Sequence, residues 1–112
     1  MSDCLFCKIV AGEIPAAVVW ENEGYLAFRD ISPQAPIHLL VVPRQHVASL
    51  DAAADGAVLG GALLAAAAVA RQEGIAESGY RTVINTNADA QQTVFHLHVH
   101  VLGGRLLGWP PG

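Results

Sequence analysis

Val94-Phe95-His96-Leu97-His98-Val99-His100-Val101-Leu102 is the stretch on which the reading of this chain turns. Its residues alternate in character, and strand side chains point alternately to opposite faces. The pattern predicts a β-strand with His96, His98 and His100 on one face and Phe95, Leu97, Val99 and Val101 on the other, which is the core face. At the usual rise per residue, successive imidazoles stand ~6.6–7 Å apart. Three titratable rings in register cost desolvation unless they act together, and a plain solvent-facing edge would normally use Thr, Lys and Glu. Two chemistries fit the row. Adjacent rings can share a metal ion, although His96 and His100, ~13 Å apart along the strand, cannot both reach one tetrahedral centre. Alternatively the middle ring, His98, acts as nucleophile or base while its neighbours orient it, hold an anionic group and supply a proton. Imidazole suits attack on phosphorus, because its free nitrogen is nucleophilic near neutral pH and a phosphohistidine is labile.

Outward from this strand, the elements follow from turn residues and periodicity. Ser2 or Asp3 caps a short helix over Cys4 to Ala11, which Gly12 ends and Pro15 keeps from returning. Three β-rich runs follow, Val18 to Glu21, Tyr25 to Asp30 and Ile37 to Pro43. They are separated by the turn-like Asn22-Glu23-Gly24 and Ser32-Pro33-Gln34-Ala35-Pro36, and runs joined so tightly pair antiparallel. From Asp51 or Asp55 to Glu73 the chain is rich in Ala and Leu and stops at Gly74, which reads as the one long helix. Strands at Tyr80 to Thr86 and Val94 to Leu102 complete the order. Helices and strands in this sequence predict an α+β fold, an antiparallel sheet with one long helix on a face and a short N-terminal helix.

The chain has 112 residues, ten acidic against six basic, a net charge of −4 and 53% hydrophobic residues. That size predicts a single domain over residues 1–112, and the apolar content suffices for a core with some left to cover a subunit interface. Six scattered basic residues do not make the patch that nucleic-acid binding needs. The longest uncharged stretch, between Asp55 and Arg71, is too short and too diluted with Gly and Ala to span a membrane. With no export signal at the amino terminus, a cytoplasmic, reducing location is expected, and there Cys4 and Cys7 are thiols or metal ligands in preference to a disulfide.

The run from His96 to Val101 resembles the signature of the histidine triad (HIT) superfamily. Phe28-Arg29-Asp30-Ile31-Ser32-Pro33-Gln34-Ala35-Pro36 and Leu102-Gly103-Gly104-Arg105, with the terminal Trp109-Pro110-Pro111-Gly112, are similar to its Hint branch, the histidine triad nucleotide-binding proteins. The resemblance covers residues from about Cys4 to Gly112. It implies a homodimer that binds purine nucleoside monophosphates and hydrolyses nucleoside phosphoramidates. On that resemblance His98 is the nucleophile, His100 contacts the phosphoryl oxygens or the leaving group, and His38 and His96 orient them. Asp30 matches the ribose-binding carboxylate, with a turn-capping role before Ser32-Pro33 as the alternative. Leu5, Phe6, Ile9, Phe28 and Ile31 match the walls of the base pocket, or are ordinary core. Asn85, Gln91, Gln92 and Thr93 match the phosphate-binding segment. Here the chain departs from the family. Ala90-Gln91 replaces a glycine pair, and a Cβ at either position restricts positive φ. Arg29 also stands where the family often has His.

The same resemblance pairs Cys4-x-x-Cys7 with His46 and His96 in a closed structural zinc site. Two small thiols packed in a short helix are the alternative. The terminal Leu106-Leu107-Gly108-Trp109-Pro110-Pro111 cannot extend the sheet, because consecutive prolines lack backbone donors. In Hint-like proteins the corresponding tail lies near the partner's active site. Two other functions share these motifs: a dinucleoside polyphosphate hydrolase using the same triad, and a nucleotide- or zinc-binding module with little turnover.

Overall fold

The β-branched and aromatic runs form strands β1 (Val18–Glu21), β2 (Tyr25–Arg29) and β3 (Ile37–Pro43), and the Ala-rich run forms helix α2 (Gly56–Gln72) after the short helix α1 (Leu5–Val10). Strands β4 (Tyr80–Val83) and β5 (Val99–Gly103) follow. This is a computed structural model, and it describes residues 3–112. The five strands make one antiparallel sheet in the order β1-β2-β3-β5-β4. The fold is therefore the expected α+β arrangement. Among the described residues no helix is long and apolar enough to cross a membrane.

The two faces of the sheet carry different layers. Ala62, Ala65, Ala66, Val69 and Ala70 of α2 are buried, a spacing of three and four residues that gives one helical stripe. Their small side chains let α2 sit close against Ala27, Leu39, Val41, Val99 and Val101. Tyr25 closes the near end of this layer, its ring against Gly61 and its hydroxyl donating to the Val58 carbonyl at 2.8 Å. On the opposite face Phe6 of α1 packs with Leu26, Phe28, Leu40 and Val42. The imidazoles of His38 and His100 share this second face, because each alternates with residues of the first.

Three element boundaries differ from the sequence pattern. The cap of α1 is Cys4, whose Sγ accepts the Cys7 N–H at 3.3 Å. Asp3 is not the cap, and Ser2 lies outside the described residues. The last strand begins at Val99 and not at Val94, and Phe95 is half exposed instead of lying in the core. The reason is its partner. Opposite residues 94–98 runs the irregular chain after β3, which offers isolated acceptors: Leu97 N–H donates to Val47 O at 2.6 Å, and Gln92 Nε2 to Ala48 O at 2.9 Å. With no ladder there, β4 also stops early, at Val83 opposite His100 and short of Thr86. Helix α2 starts where Asp55 Oδ1 accepts the Ala57 N–H at 2.8 Å, the second of the two expected starts, and Gly74 ends it at φ +78°.

The C-terminal tail is tied down although exposed. Arg81 Nη2 donates to Gly108 O at 2.9 Å, and its guanidinium lies 5.7 Å from the Trp109 ring. Leu106 and Trp109 remain open to solvent.

Candidate active site and metal centre

Two clusters of ligating side chains flank His98, and hydrogen bonds fix where the protons sit in each. In the first, Cys4, Cys7, His46 and His96 bring one donor atom each to within 4.8 Å of one another. Cys4 Sγ to His96 Nδ1 and Cys7 Sγ to His46 Nδ1 are both 3.3 Å, and Cys7 Sγ to His96 Nδ1 is 3.5 Å. A tetrahedral zinc ion with its usual bond lengths needs sulfur and nitrogen ~3.6 Å apart, so the cluster has nearly the edges of that polyhedron. His96 Nε2 lies 2.8 Å from the Pro43 carbonyl, which can only accept. The proton therefore sits on Nε2, and the Nδ1 lone pair faces the sulfurs. Burial lowers His96 below the ordinary range, so the ring is neutral and able to ligate. Burial and the adjacent Cys4 raise the Cys7 thiol, and a cation is what would hold it as a thiolate.

In the second cluster Asp30, His38 and His100 converge. The Gln34 N–H donates to His38 Nδ1 at 3.0 Å, so the His38 proton is on Nε2. That atom lies 2.9 Å from His100 Nδ1 and 3.4 Å from Asp30 Oδ2. His100 Nδ1 accepts, and its own proton sits on Nε2, which bonds no group among the described residues. Burial, with His98 and His38 beside it, depresses His100 to about 4. His38 is lowered too, by burial against the opposing pull of Asp30. A metal at His38 Nε2 would have to displace that proton and break the Gln34 bond, so this cluster is a hydrogen-bonded pair in its construction.

His98 stands between them. Its Nδ1 lies 2.7 Å from the His96 carbonyl, which places the proton on Nδ1 and leaves Nε2 with a free lone pair. Phe6 meets the ring edge-on at 5.1 Å, and the His100 ring is also 5.1 Å away. Burial lowers His98, so the ring is neutral at neutral pH, the form in which an imidazole lone pair can attack.

The other sequence-predicted residues divide. Phe6 and Phe28 stack edge-to-face at 5.5 Å beside His98, with Ile9 packed against them and Leu5 half exposed. Ile31 is 99% exposed and walls no pocket within this chain. Asp30 caps the turn, its Oδ1 accepting the Ser32 N–H at 2.8 Å, while Oδ2 stays turned to His38. Gln92 is buried with its amide committed: Oε1 accepts the Asn87 N–H at 3.0 Å, and Nε2 donates to Ala48 O and Val94 O. It clamps the loop. Gln91 and Thr93 are exposed beside it and Asn85 is half-buried. The glycine departure falls at Gln91, which holds φ +62°, and not at Ala90; Asn87 also holds φ +65°. Arg29, at the end of β2, pairs at 2.9 Å with Glu73 at the C-terminal end of α2. Sequence reasoning missed the backbone groups of Gln34, Pro43 and His96, which set the proton on each ring and have no residue-type signature.

Three histidines arranged on an α+β sheet, the middle one with its free nitrogen exposed between two ordered partners, define a histidine-triad protein. The HIT domain family matches residues 11–107, and the chain belongs to that family. It is 56% identical to a HIT-like protein of Synechococcus elongatus, covering 98% of this chain and 97% of that one. It is 49% identical to a 14 kDa zinc-binding protein of Zea mays (99% and 89% covered) and 47% identical to adenylylsulfatase HINT1 of Arabidopsis thaliana (99% and 78%). Among solved structures, a HIT family hydrolase of Legionella pneumophila superposes with a TM-score of 0.95 at 51% identity, over 98% of this chain and all of that one.

Proposed function

We propose that this protein binds purine nucleoside monophosphates and hydrolyses nucleoside 5′-phosphoramidates through a nucleotidyl-His98 intermediate. The observation that carries the reading is the 2.7 Å bond from His98 Nδ1 to the His96 carbonyl, which turns an unprotonated Nε2 toward the site. In the first step Nε2 attacks the α-phosphorus, the bond from His98 Nε2 to phosphorus forms, and the bond from phosphorus to the leaving amine breaks as the amine takes up a proton from solvent, which the attacking water returns in the second step. Water then attacks the same phosphorus, releasing the nucleoside monophosphate and restoring His98. His100 Nε2–H donates to a phosphoryl oxygen as charge builds there. Asp30 Oδ2 accepts from the ribose hydroxyls, and Phe6, Phe28, Ile9 and Leu5 receive the base. Asn85, Gln91 and Thr93 face the phosphate from the loop that Gln92 fixes.

Cys4, Cys7, His46 and His96 would hold zinc, in keeping with the zinc-binding relative from Zea mays. Bound there, zinc would cross-link α1 to the segment before β5, and His96 held in that way would steady the carbonyl that orients His98. A second copy of the chain covers the exposed Leu63, Leu64 and Trp109 in a homodimer, the tail reaching the partner's leaving-group side. A cytoplasmic setting suits the free thiols.

A second substrate is favoured by the likeness to adenylylsulfatase HINT1: adenylyl sulfate, whose sulfate leaves without a proton. The deciding experiment measures rates on an adenosine phosphoramidate, adenylyl sulfate and a diadenosine polyphosphate, with and without His98. His98→Ala should lower the favoured rate by about 10⁴-fold or more while AMP binding survives. Turnover near wild type in that variant would end the covalent reading, and no turnover of any of the three by the wild type would favour a binding module.

A further inference from the structure

The proton on His38 is set by a backbone N–H, and that N–H belongs to a turn held from the other end of the molecule. Gln34 sits in the turn between β2 and β3, where its side-chain Nε2 bonds Ser32 O at 2.9 Å. Its carbonyl accepts from Arg105 Nη2 at 2.9 Å, while Arg105 Nη1 bonds Leu106 O at 3.1 Å. Gly104, at φ +91°, brings the two turns together: a Cβ there would lie 3.0 Å from the Pro36 Cβ. The guanidinium thus staples the turn after β5 to the one residue whose N–H faces His38 Nδ1.

We propose that Arg105 is a positioning residue for the triad. Through Gln34 it holds His38 in the Nε2–H tautomer, and His38 in turn holds His100 with Nδ1 as acceptor and Nε2–H as the free donor. The chain of contacts is Arg105 Nη2 to Gln34 O, Gln34 N–H to His38 Nδ1 at 3.0 Å, and His38 Nε2 to His100 Nδ1 at 2.9 Å. Without the staple the turn relaxes, His38 gains access to its other tautomer, and His100 Nδ1 then faces a lone pair where it needs a donor. His100 can answer by moving its own proton to Nδ1, which takes the N–H away from the phosphoryl oxygen. Arg105 is exposed and touches none of the three rings, so its influence travels only through this path. The proposal rests on the reading of His100 as the phosphoryl donor, whereas the tautomer arm of its test does not.

The test combines ring nitrogen spectra of ¹⁵N-histidine-labelled protein with steady-state rates on an adenosine phosphoramidate. In the wild type, His38 and His100 should both be protonated at Nε2. Arg105→Met, which keeps the aliphatic stem, should show averaged nitrogens at His38 and a kcat lowered about three- to tenfold with KM nearly unchanged, the effect of losing one hydrogen bond that acts in the transition state. Arg105→Lys, which can still donate to Gln34 O, should recover most of both signals and guards against misfolding of the Met variant. A wild-type His38 protonated at Nδ1, or an Arg105→Met protein with wild-type spectra, would overturn the proposal. So would altered spectra with an unaltered kcat. A wild type inactive on every nucleotide defeats the functional reading instead, and the spectra then still decide whether Arg105 sets the tautomers.

Discussion

The two clusters beside His98 each set two histidines beside acidic ligating groups, two thiols in one and a carboxylate in the other, and are built for opposite purposes. Around Cys4 and Cys7, every imidazole proton that the structure fixes points away: His96 donates its Nε2–H to the Pro43 carbonyl, and its Nδ1 lone pair turns inward with two sulfurs and His46 Nδ1. Around Asp30, the proton of His38 points inward and fills the space a cation would take. Distances alone do not separate the two, since each set of atoms lies within 4.8 Å. What separates them is one backbone group per ring, a carbonyl behind His96 and an N–H behind His38. Ligand clusters are better judged by the partner of the far ring nitrogen than by the separation of the near ones.

The largest effect that would break this contrast is on metal binding. With Cys4→Ser and Cys7→Ser together, the protein should lose its one tightly held equivalent of zinc and about 3–5 kcal/mol of stability, read by metal analysis and by urea unfolding with and without chelator. His38→Ala and Asp30→Asn should leave that equivalent in place. Two tight equivalents in the wild type, or one that survives loss of both cysteines, would erase the distinction.

A smaller effect is expected from acid. Burial depresses His100 to about 4 against an ordinary value near 6.5, and His38 and His98 are lowered in the same sense. Between those values the unfolded chain binds more protons than the folded one, so stability rises with pH there and is lost as pH falls from about 6.5 toward 4. The share of His100 is about 1–3 kcal/mol. His100→Gln, a neutral ring-sized replacement, should be flatter by that amount than the wild type when urea midpoints are compared at pH 7 and pH 4.5. Equal slopes would mean that His100 titrates normally and that its burial does not hold it neutral.

How much of this was legible in the sequence follows from what each feature depends on. The alternation from His96 to Val101 places the rings on one face, because strand geometry is local, and the Ala- and Leu-rich run before Gly74 marks helix α2 for the same reason. The start of β5 was not legible. Residues 94–98 keep the alternating pattern while their partner, Val47 and Ala48, is not a strand, and no local signal carries that. Phe95 fits the core face on the pattern alone and is half exposed because a partner strand is missing. Gln92 matches the phosphate ligands by motif, yet three loop bonds absorb its amide. The separation of His96 and His100 along the chain keeps them out of one metal centre, while only the family resemblance points His96 to the cysteines. The proton positions were not legible, since they depend on the backbone of Pro43, Gln34 and His96.

The smallest expected effect concerns Asp30, where the two readings of one carboxylate can be pulled apart. Its Oδ1 caps the turn through the Ser32 N–H, and that task needs only an acceptor. Its Oδ2, turned toward His38 at 3.4 Å, is the oxygen left for a ribose hydroxyl. Asn keeps the first acceptor and removes the negative charge, so Asp30→Asn should change stability by no more than about 0.5 kcal/mol. Asp30→Ala loses the cap as well and should cost about 1 kcal/mol. If the second oxygen serves a ligand, Asp30→Asn weakens AMP binding by about tenfold, because one acceptor of a hydroxyl pair becomes a donor or is lost. Both variants are to be compared by urea unfolding and by calorimetric titration with AMP and with 2′-deoxy-AMP. The wild type should prefer AMP and the Asn variant should lose that preference. An Asp30→Asn protein that keeps wild-type preference for the ribose hydroxyl would assign the residue to the turn alone. The second cluster would then be a histidine pair whose carboxylate belongs to the fold.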